Sequence, residues 1–324
     1  MKFAGKTKGF TIVEMLTVMG IIAILIGLLV PALNHVKDYS KQIQQKAQFH
    51  SIDVALEMFK TEFGTYPESN DNVDIADASK NHPNNAFPYC GANKMAEALV
   101  GLDLLGFHPN SDFRTTGVNL VVEKDGVTKS NRVVYWAYDD TQAVWQTASE
   151  NIQARKGPFI ESENANAFRM DDIYPAASLT AGSYTANYGS LYSLVLSDVY
   201  AKKRIGTGNK KAGMPILYYR ARTTNTLQDI TTNGADGKND DIYYYPDNYH
   251  LLLMGTPEIT PVVHPLYGTA AAYAQNFETA ILNKQLSPVK RPYRASSYIL
   301  MSAGKDGLYG TADDIFNFDK GSEQ

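Results

Sequence analysis

An uncharged apolar run near the N-terminus, residues 15–34, constrains this chain more than any other stretch. Its roughly 20 residues would form an α-helix about 30 Å long, which matches the hydrocarbon core of a bilayer. A single carboxylate, Glu14, stands just ahead of the run. Because an unpaired charge in hydrocarbon is costly, Glu14 predicts a cationic partner and a functional role. The sequence therefore predicts a transmembrane segment at about residues 12–34 with a functional carboxylate at its leading edge.

The residues around Glu14 follow a characteristic order: Lys2, Lys6, Lys8, Gly9, Phe10, Thr11, Ile12 and Glu14. This order resembles the class III signal of type IV pilins and type II secretion pseudopilins. The resemblance implies that a prepilin peptidase removes the leader, residues 1–9, by cutting after Gly9, and that it methylates the new amino terminus on Phe10. It also implies that Glu14 lies in a filament core and faces the Phe10 amine of a neighbouring subunit. A free α-amine is cationic at neutral pH, so this pairing would neutralise Glu14.

Two ordinary interpretations of an N-terminal apolar run fit less well. A cleaved secretory signal has a shorter apolar region, of about 7–15 residues, and ends at small residues. A plain signal anchor explains the length of the run but not the spacing of Gly9 and Glu14. Three lysines precede the run and three follow it closely, so charge does not set the orientation. The resemblance implies a single pass through the inner membrane with the large domain in the periplasm.

The sequence predicts that the helix continues beyond the membrane to Phe63. Residues 36–63 contain neither Gly nor Pro. Apolar side chains recur there at helical spacing, at Ile52, Ala55, Leu56, Phe59 and Phe63. Gly64 and Pro67 then form an end-of-helix signature. We predict one long helix over residues 10–63 and a globular head over residues 64–324, and residues 55–67 also resemble the exit from the long helix of pseudopilins.

The weakest part of the predicted helix lies between Gly27 and Pro31. Pro31 has no backbone N–H, and its ring crowds the carbonyl of Gly27, which is itself a poor helix residue. The resemblance implies that this part of the stalk can unwind in an assembled filament. An ordinary kink in a membrane helix explains the same residues.

The order of helices and strands in the head sequence predicts an α+β fold, in which the long helix packs on a mainly antiparallel β-sheet. The resemblance implies a pilin-like fold with large insertions. A polar surface loop is predicted over residues 68–88. Helices are predicted over 92–107 and 270–283. Strands are predicted over 118–123, 132–138, 157–161, 215–222, 251–254, 297–302 and 315–318.

Two stretches of the head place an aspartate in a Gly-flanked turn shortly before an Asp-Asp-Ile sequence. Glycines allow a tight turn, and converging carboxylate and carbonyl oxygens suit Ca²⁺. The second stretch, residues 302–315, resembles the calcium loop near the C-terminus of major pseudopilins. The resemblance implies Asp306 and Asp314 as side-chain ligands, with Ser302 and the Leu308 carbonyl as weaker candidates and Asp313 in the same turn. The role of the bound Ca²⁺ would be structural.

The first of these stretches, residues 234–243, is a weaker candidate for calcium. Its aspartates, Asp236, Asp240 and Asp241, are more closely spaced, and the resemblance does not reach them. Neither stretch has the alternating ligands and closing Glu of an EF-hand. For both, a simple Asp-Gly turn between two strands remains the alternative.

Charge and motifs exclude several function classes. The formal net charge is −4, and removal of residues 1–9 would make it −7, which argues against a nucleic-acid partner. The one cysteine, Cys90, forms no disulfide within the chain, and we interpret it as a small buried residue. No His-Glu-x-x-His, Gly-x-Ser-x-Gly, Walker or Cys-x-x-Cys motif occurs, so we predict that the protein is not an enzyme.

Two function classes remain. The first is a structural subunit of a type IV pilus-like or type II secretion pseudopilus filament. The resemblance then implies as partners other pilins or pseudopilins, the prepilin peptidase, an assembly platform in the inner membrane, and membrane lipid. The second class is a minor or tip pilin that acts as an adhesin or substrate-binding protein. Glu14 favours a subunit of the filament body, whereas the large head favours a specialised position.

Overall fold

The computed structural model describes residues 9, 11–69, 89–111, 113, 118–122, 129–135, 148–175, 179, 194–200, 211–228, 241–258 and 260–320. These residues form two compact units, Met1–Gln44 and Gln45–Gln324. The helices are α1 (Ile12–Phe63), α2 (Gly91–Val100), α3 (Ala148–Ala154), the single turns α4 (Ser162–Ala165) and α5 (Met170–Ile173), α6 (Tyr249–Leu253) and α7 (Ala270–Ile281). The strands are β1 (Val118–Val122), β2 (Lys129–Val133), β3 (Ala167–Arg169), β4 (Leu194–Leu196), β5 (Leu217–Arg220), β6 (Tyr298–Ser302) and β7 (Ile315–Phe316).

The named strands pair antiparallel in three small sheets, in the orders β1-β2, β3-β4 and β5-β6-β7. In the three-stranded sheet, Leu217 lies opposite Met301, and Ser302 lies opposite Ile315. The prediction of an α+β fold with mainly antiparallel pairing is therefore confirmed. Most of the predicted polar loop lies outside the described residues.

Both faces of the three-stranded sheet are buried. Successive residues of a strand point to opposite faces, so neighbouring residues of β6 enter different core clusters. Tyr298 and Leu300 of β6 belong to the core cluster that also contains Ile52, Leu56 and Phe59 of α1. The residues between them, Ile299 and Met301, belong to a second cluster with Tyr219 of β5 and Phe277 of α7. The apolar stripe predicted on α1 is thus the side that packs on the sheet.

An aromatic cluster fixes the end of α1 to the head. The ring centroid of Phe59 lies 4.5 Å from that of Phe63, 5.3 Å from Phe107 and 5.7 Å from Phe159. Nearer the start of the second unit, the buried Gln48 donates from Nε2 to the carbonyls of Ala165 and Ser197. These contacts join α1 to three separate parts of the head.

Two predicted strands are wrong. Residues 251–254 belong to α6 and the turn after it, because a 3₁₀ turn at Tyr245–Asn248 leads directly into helix. Residues 157–161 form no strand, since Gly157 adopts φ +81° and Phe159 is used to pack on Phe59. The helix predicted over 92–107 ends at Val100, where Gly101 has φ +79° and its N–H donates to the Glu97 carbonyl. Strands β3 and β4 and helix α3 were not predicted.

Candidate functional site

The N-terminus of α1 is closed by Thr11 and Glu14. Glu14 Oε2 accepts hydrogen bonds from the backbone N–H of Thr11, at 2.9 Å, and from the Thr11 hydroxyl, at 2.8 Å. Thr11 Oγ accepts in turn from the Glu14 N–H, at 3.3 Å. This reciprocal arrangement is a capping box, with Thr11 at the N-cap and Glu14 at the third helical position.

The capping box gives Glu14 an intrachain partner that the sequence analysis missed, although the Ser/Thr-x-x-Glu signature is present in Thr11-Ile12-Val13-Glu14. The donors are an amide and a hydroxyl, so Glu14 keeps its negative charge available for a cation. Removal of residues 1–9 leaves the Thr11 N–H in place, since that N–H belongs to the Phe10–Thr11 peptide. Phe10 itself lies outside the described residues.

Gly9, the predicted cleavage residue, is exposed. A Cβ added at this position would have no atom of the described residues within 4 Å. The described part of the chain therefore places no steric requirement on glycine at residue 9. A requirement for glycine there would come from a molecule that binds this segment.

Helix α1 is the one helix among the described residues that is long and apolar enough to cross a membrane. Its most apolar window of 18 residues has a mean hydropathy of 2.7, and none of that window is buried. Large apolar side chains such as Leu28 and Ile12 are 69% and 80% exposed. Exposing so many large apolar side chains to water is unfavourable, which indicates that a membrane or a helical partner covers this segment.

The predicted calcium loop lies between β6 and β7, and its carboxylates bond mainly to the loop's own backbone. Asp306 Oδ1 accepts from the Leu308 N–H at 2.7 Å, and Asp313 Oδ2 accepts from the Asp306 N–H at 3.0 Å. Asp314 Oδ2 accepts from the N–H groups of Gly310, at 2.7 Å, and Thr311, at 3.2 Å. The loop therefore gathers three carboxylates within nine residues and fixes each by hydrogen bonds.

The pKa values of the two adjacent aspartates of this loop shift in opposite directions. Burial raises the pKa of Asp314 to about 8, and the neighbouring Asp313 adds to that rise. Partial burial also acts to raise the pKa of Asp313, but hydrogen bonds from Thr311 and from the Asp306 N–H hold it below the usual value. Asp314 Oδ1 is buried and accepts no hydrogen bond from the described residues.

The other predicted ligands lie as follows. Ser302 is buried, and its hydroxyl donates to Asp198 Oδ2 at 2.8 Å while it accepts from the Gly304 N–H. The Leu308 carbonyl accepts from the Thr311 hydroxyl at 3.2 Å. In the first loop, Asp236 and Asp240 lie outside the described residues, and Asp241 is buried with its carbonyl bonded to the Asn225 amide.

The fit of this loop to Ca²⁺ rests on one oxygen. Among the described residues, no three His, Cys, Asp or Glu side chains come close enough together to hold one metal ion. Calcium also takes backbone carbonyls and water as ligands, so a side-chain cluster is not required. The buried Asp314 Oδ1, which lacks a donor among the described residues, is the atom that a cation would satisfy.

Comparison with known proteins adds one match. The family model of the prokaryotic N-terminal methylation motif matches residues 5–30, which include Gly9, Phe10, Glu14 and the start of the apolar run. No curated protein and no solved structure matches the chain. The chain thus carries a type IV pilin-like prepilin signal, and with the long apolar helix this signal indicates a membrane-anchored precursor for prepilin peptidase.

Proposed function

We propose that this chain is a structural subunit of a type IV pilus-like or type II secretion pseudopilus filament. The observation that carries the proposal is the match of the methylation motif together with the position of Glu14, a charged residue at the front of an exposed apolar helix. Before assembly, the chain would cross the inner membrane once with its head in the periplasm. After assembly, Glu14 would face the methylated Phe10 amine of a neighbouring copy. The peptidase, an inner-membrane assembly platform and other pilins or pseudopilins would be its partners.

The intact mass of the protein extracted from membranes or filaments tests this proposal. We expect a chain that begins at Phe10 and carries one additional methyl group. A matched variant, Gly9→Val, should keep residues 1–9, because a β-branched side chain would obstruct the peptidase while meeting no atom of the described residues. A mature start at Met1, or one beyond residue 34, would contradict the pilin assignment.

The size of the head favours a second candidate, a minor or tip subunit that acts as an adhesin or substrate-binding protein. The head follows Phe63 and contains helices and strands beyond the sheet that packs on α1. The number of copies per filament separates the two. A body subunit is present in many copies along the filament, whereas a tip subunit is present in one or a few.

We also propose that the loop between β6 and β7 binds a structural Ca²⁺ through Asp314, with Asp306 and Asp313 contributing charge. A ligand that binds only the folded state stabilises it by RT ln(1 + [L]/Kd), which is about 2.7 kcal/mol at a hundred times Kd. The metal would hold the ends of β6 and β7 together in a chain that has no disulfide.

Thermal melting of the detergent-solubilised full chain tests this calcium proposal. We expect a lower melting temperature in chelator, and better recovery with Ca²⁺ than with Mg²⁺. Asp314→Ala should remove most of the difference, whereas Asp319→Ala, an exposed aspartate outside the loop, should retain it. Identical melting curves in calcium and chelator at matched ionic strength would show that the loop is only a turn.

A further inference from the structure

Lys94 is a lysine that the head buries completely. Its side chain is 0% exposed, and every residue of α2 around it is buried. Nζ donates to Glu68 Oε1 at 2.8 Å and lies 5.9 Å from the centre of the Phe113 ring. Lysine is rarely buried to this extent, because the attraction of an ion pair recovers only part of the hydration that the ammonium loses. Buried lysines are also the ones that proteins use as nucleophiles.

Glu68, the partner of this lysine, is held in place from both sides. The carbonyl of the preceding Pro67 accepts from the Tyr218 hydroxyl at 2.7 Å. The hydroxyl of the following Ser69 accepts from a backbone N–H of β5 at 3.0 Å and donates to Asp247 Oδ2. A nitrogen at hydrogen-bond distance from a carboxylate oxygen is roughly 3.5 Å from the carboxyl carbon, so the fold holds the pair near the distance at which such atoms react.

A third titratable group, Asp247, stands in the field of this pair. Its side chain is buried, and its Oδ1 accepts no hydrogen bond from the described residues. Burial raises the pKa of Asp247 to about 6, and the charges of Lys94 and Glu68 both act on that pKa. A carboxyl that can give and take a proton is thus tied, through Ser69, to the residue next to Glu68.

We propose that Lys94 and Glu68 join in an intrachain amide, an isopeptide bond between Nζ and Cδ. The ammonium first passes a proton to the Glu68 carboxylate, which replaces two charges by two neutral groups. Nζ then attacks Cδ, the C–N bond forms, and one C–O bond of the carboxyl breaks. The departing hydroxide takes a proton from Asp247 and leaves as water, and Asp247 recovers a proton from the nitrogen. One water is lost, and nothing is oxidised or reduced.

The bond would close the chain between residues 68 and 94 and would join the exit of α1 to α2. The side chain of Glu68 is 40% exposed, so the released water has a path to solvent. A covalent cross-link stabilises a fold mainly by restricting the unfolded chain, and the one cysteine of this chain supplies no such link. The bond needs only the folded head, so it does not depend on the proposed filament function.

Peptide mass spectrometry of the full wild-type chain, extracted in detergent, denatured and cut with trypsin, tests the proposal. We expect residues 61–80 joined to residues 81–114, without cleavage after Lys94 and at a mass one water below the sum of the two peptides. Lys94→Arg should release both parts at their full masses. Separate wild-type peptides, with cleavage after Lys94, would show an ion pair only and overturn the bond. This result needs no variant that folds.

The chain offers a matched control at the same distance. Lys156 Nζ lies 2.8 Å from Glu62 Oε1, but the two side chains are 48% and 43% exposed. Water solvates both charges there, so we expect no linked peptide that contains Lys156. A link at this pair as well would mean that handling of the sample joins any close lysine and glutamate, and it would overturn the assignment to the buried site.

Asp247→Asn tests the proton transfer. Asn keeps an oxygen that accepts from the Ser69 hydroxyl, but it removes the acid. The linked fraction should then accumulate at least about tenfold more slowly after a pulse of labelled synthesis, because general acid catalysis typically contributes a hundredfold or more. Accumulation at the wild-type rate would contradict the role of Asp247.

Discussion

Glu14→Ala is expected to lower the incorporation of this chain into filaments by at least tenfold while membrane insertion and folding of the head stay intact. The reason is that Glu14 is the one carboxylate at the apolar segment and, in the proposed function, the partner of a neighbour's amine. The hydrogen bonds that the structure describes for the Glu14 side chain go to Thr11, within the first turn of α1, so the substitution removes only local contacts of this helix. The measurement is the fraction of the protein in sheared filaments relative to the total.

The capping box requires a control that separates helix capping from charge. Glu14→Gln keeps an oxygen that can accept from the Thr11 N–H, since Gln also closes a capping box, but it removes the negative charge. Charge pairing predicts that Glu14→Gln fails to assemble as Glu14→Ala does. Thr11→Val removes the hydroxyl and keeps the charge, so it should have the smaller effect, near that of losing an N-cap, about 1 kcal/mol. Normal assembly of Glu14→Gln would assign the role of Glu14 to capping.

The stalk was predictable because its signals are local. The end of α1 at Phe63 follows from Gly64, which adopts φ +80°, and from the absence of Gly and Pro over residues 36–63. The buried stripe at Ile52, Leu56 and Phe59 follows from helical spacing. Glu14 and Gly9 were likewise identified by their place in a short motif.

The head was less predictable because its contacts join distant residues. Ser302 was predicted as a weak calcium ligand, but its donation to Asp198 joins residues 104 apart in the sequence. A short apolar run such as residues 251–254 suits strand or helix equally, and only the preceding 3₁₀ turn decides it. The predicted calcium loop stands between these cases, since its carboxylates bond mainly within the loop, whereas Ser302 bonds to the distant Asp198.

Phe59→Ala is expected to destabilise the head by about 3–5 kcal/mol, the usual cost of removing a buried phenylalanine ring. Phe59 is 4% exposed and contacts three other rings, so its loss leaves a cavity that Phe63, Phe107 and Phe159 cannot fill without moving. The adjacent Met58 supplies the control. It is apolar, lies on the same helix and is 51% exposed, so Met58→Ala should change the free energy of unfolding by no more than about 0.5 kcal/mol.

Urea unfolding of both variants in the detergent-solubilised full chain measures this difference. Because α1 carries the residues proposed for assembly and the aromatic cluster fixes its end to the head, loss of Phe59 should also reduce the amount of assembled protein through loss of folded head. Equal destabilisation by the two substitutions would mean that the aromatic cluster does not hold α1 to the head, since only Phe59 belongs to it.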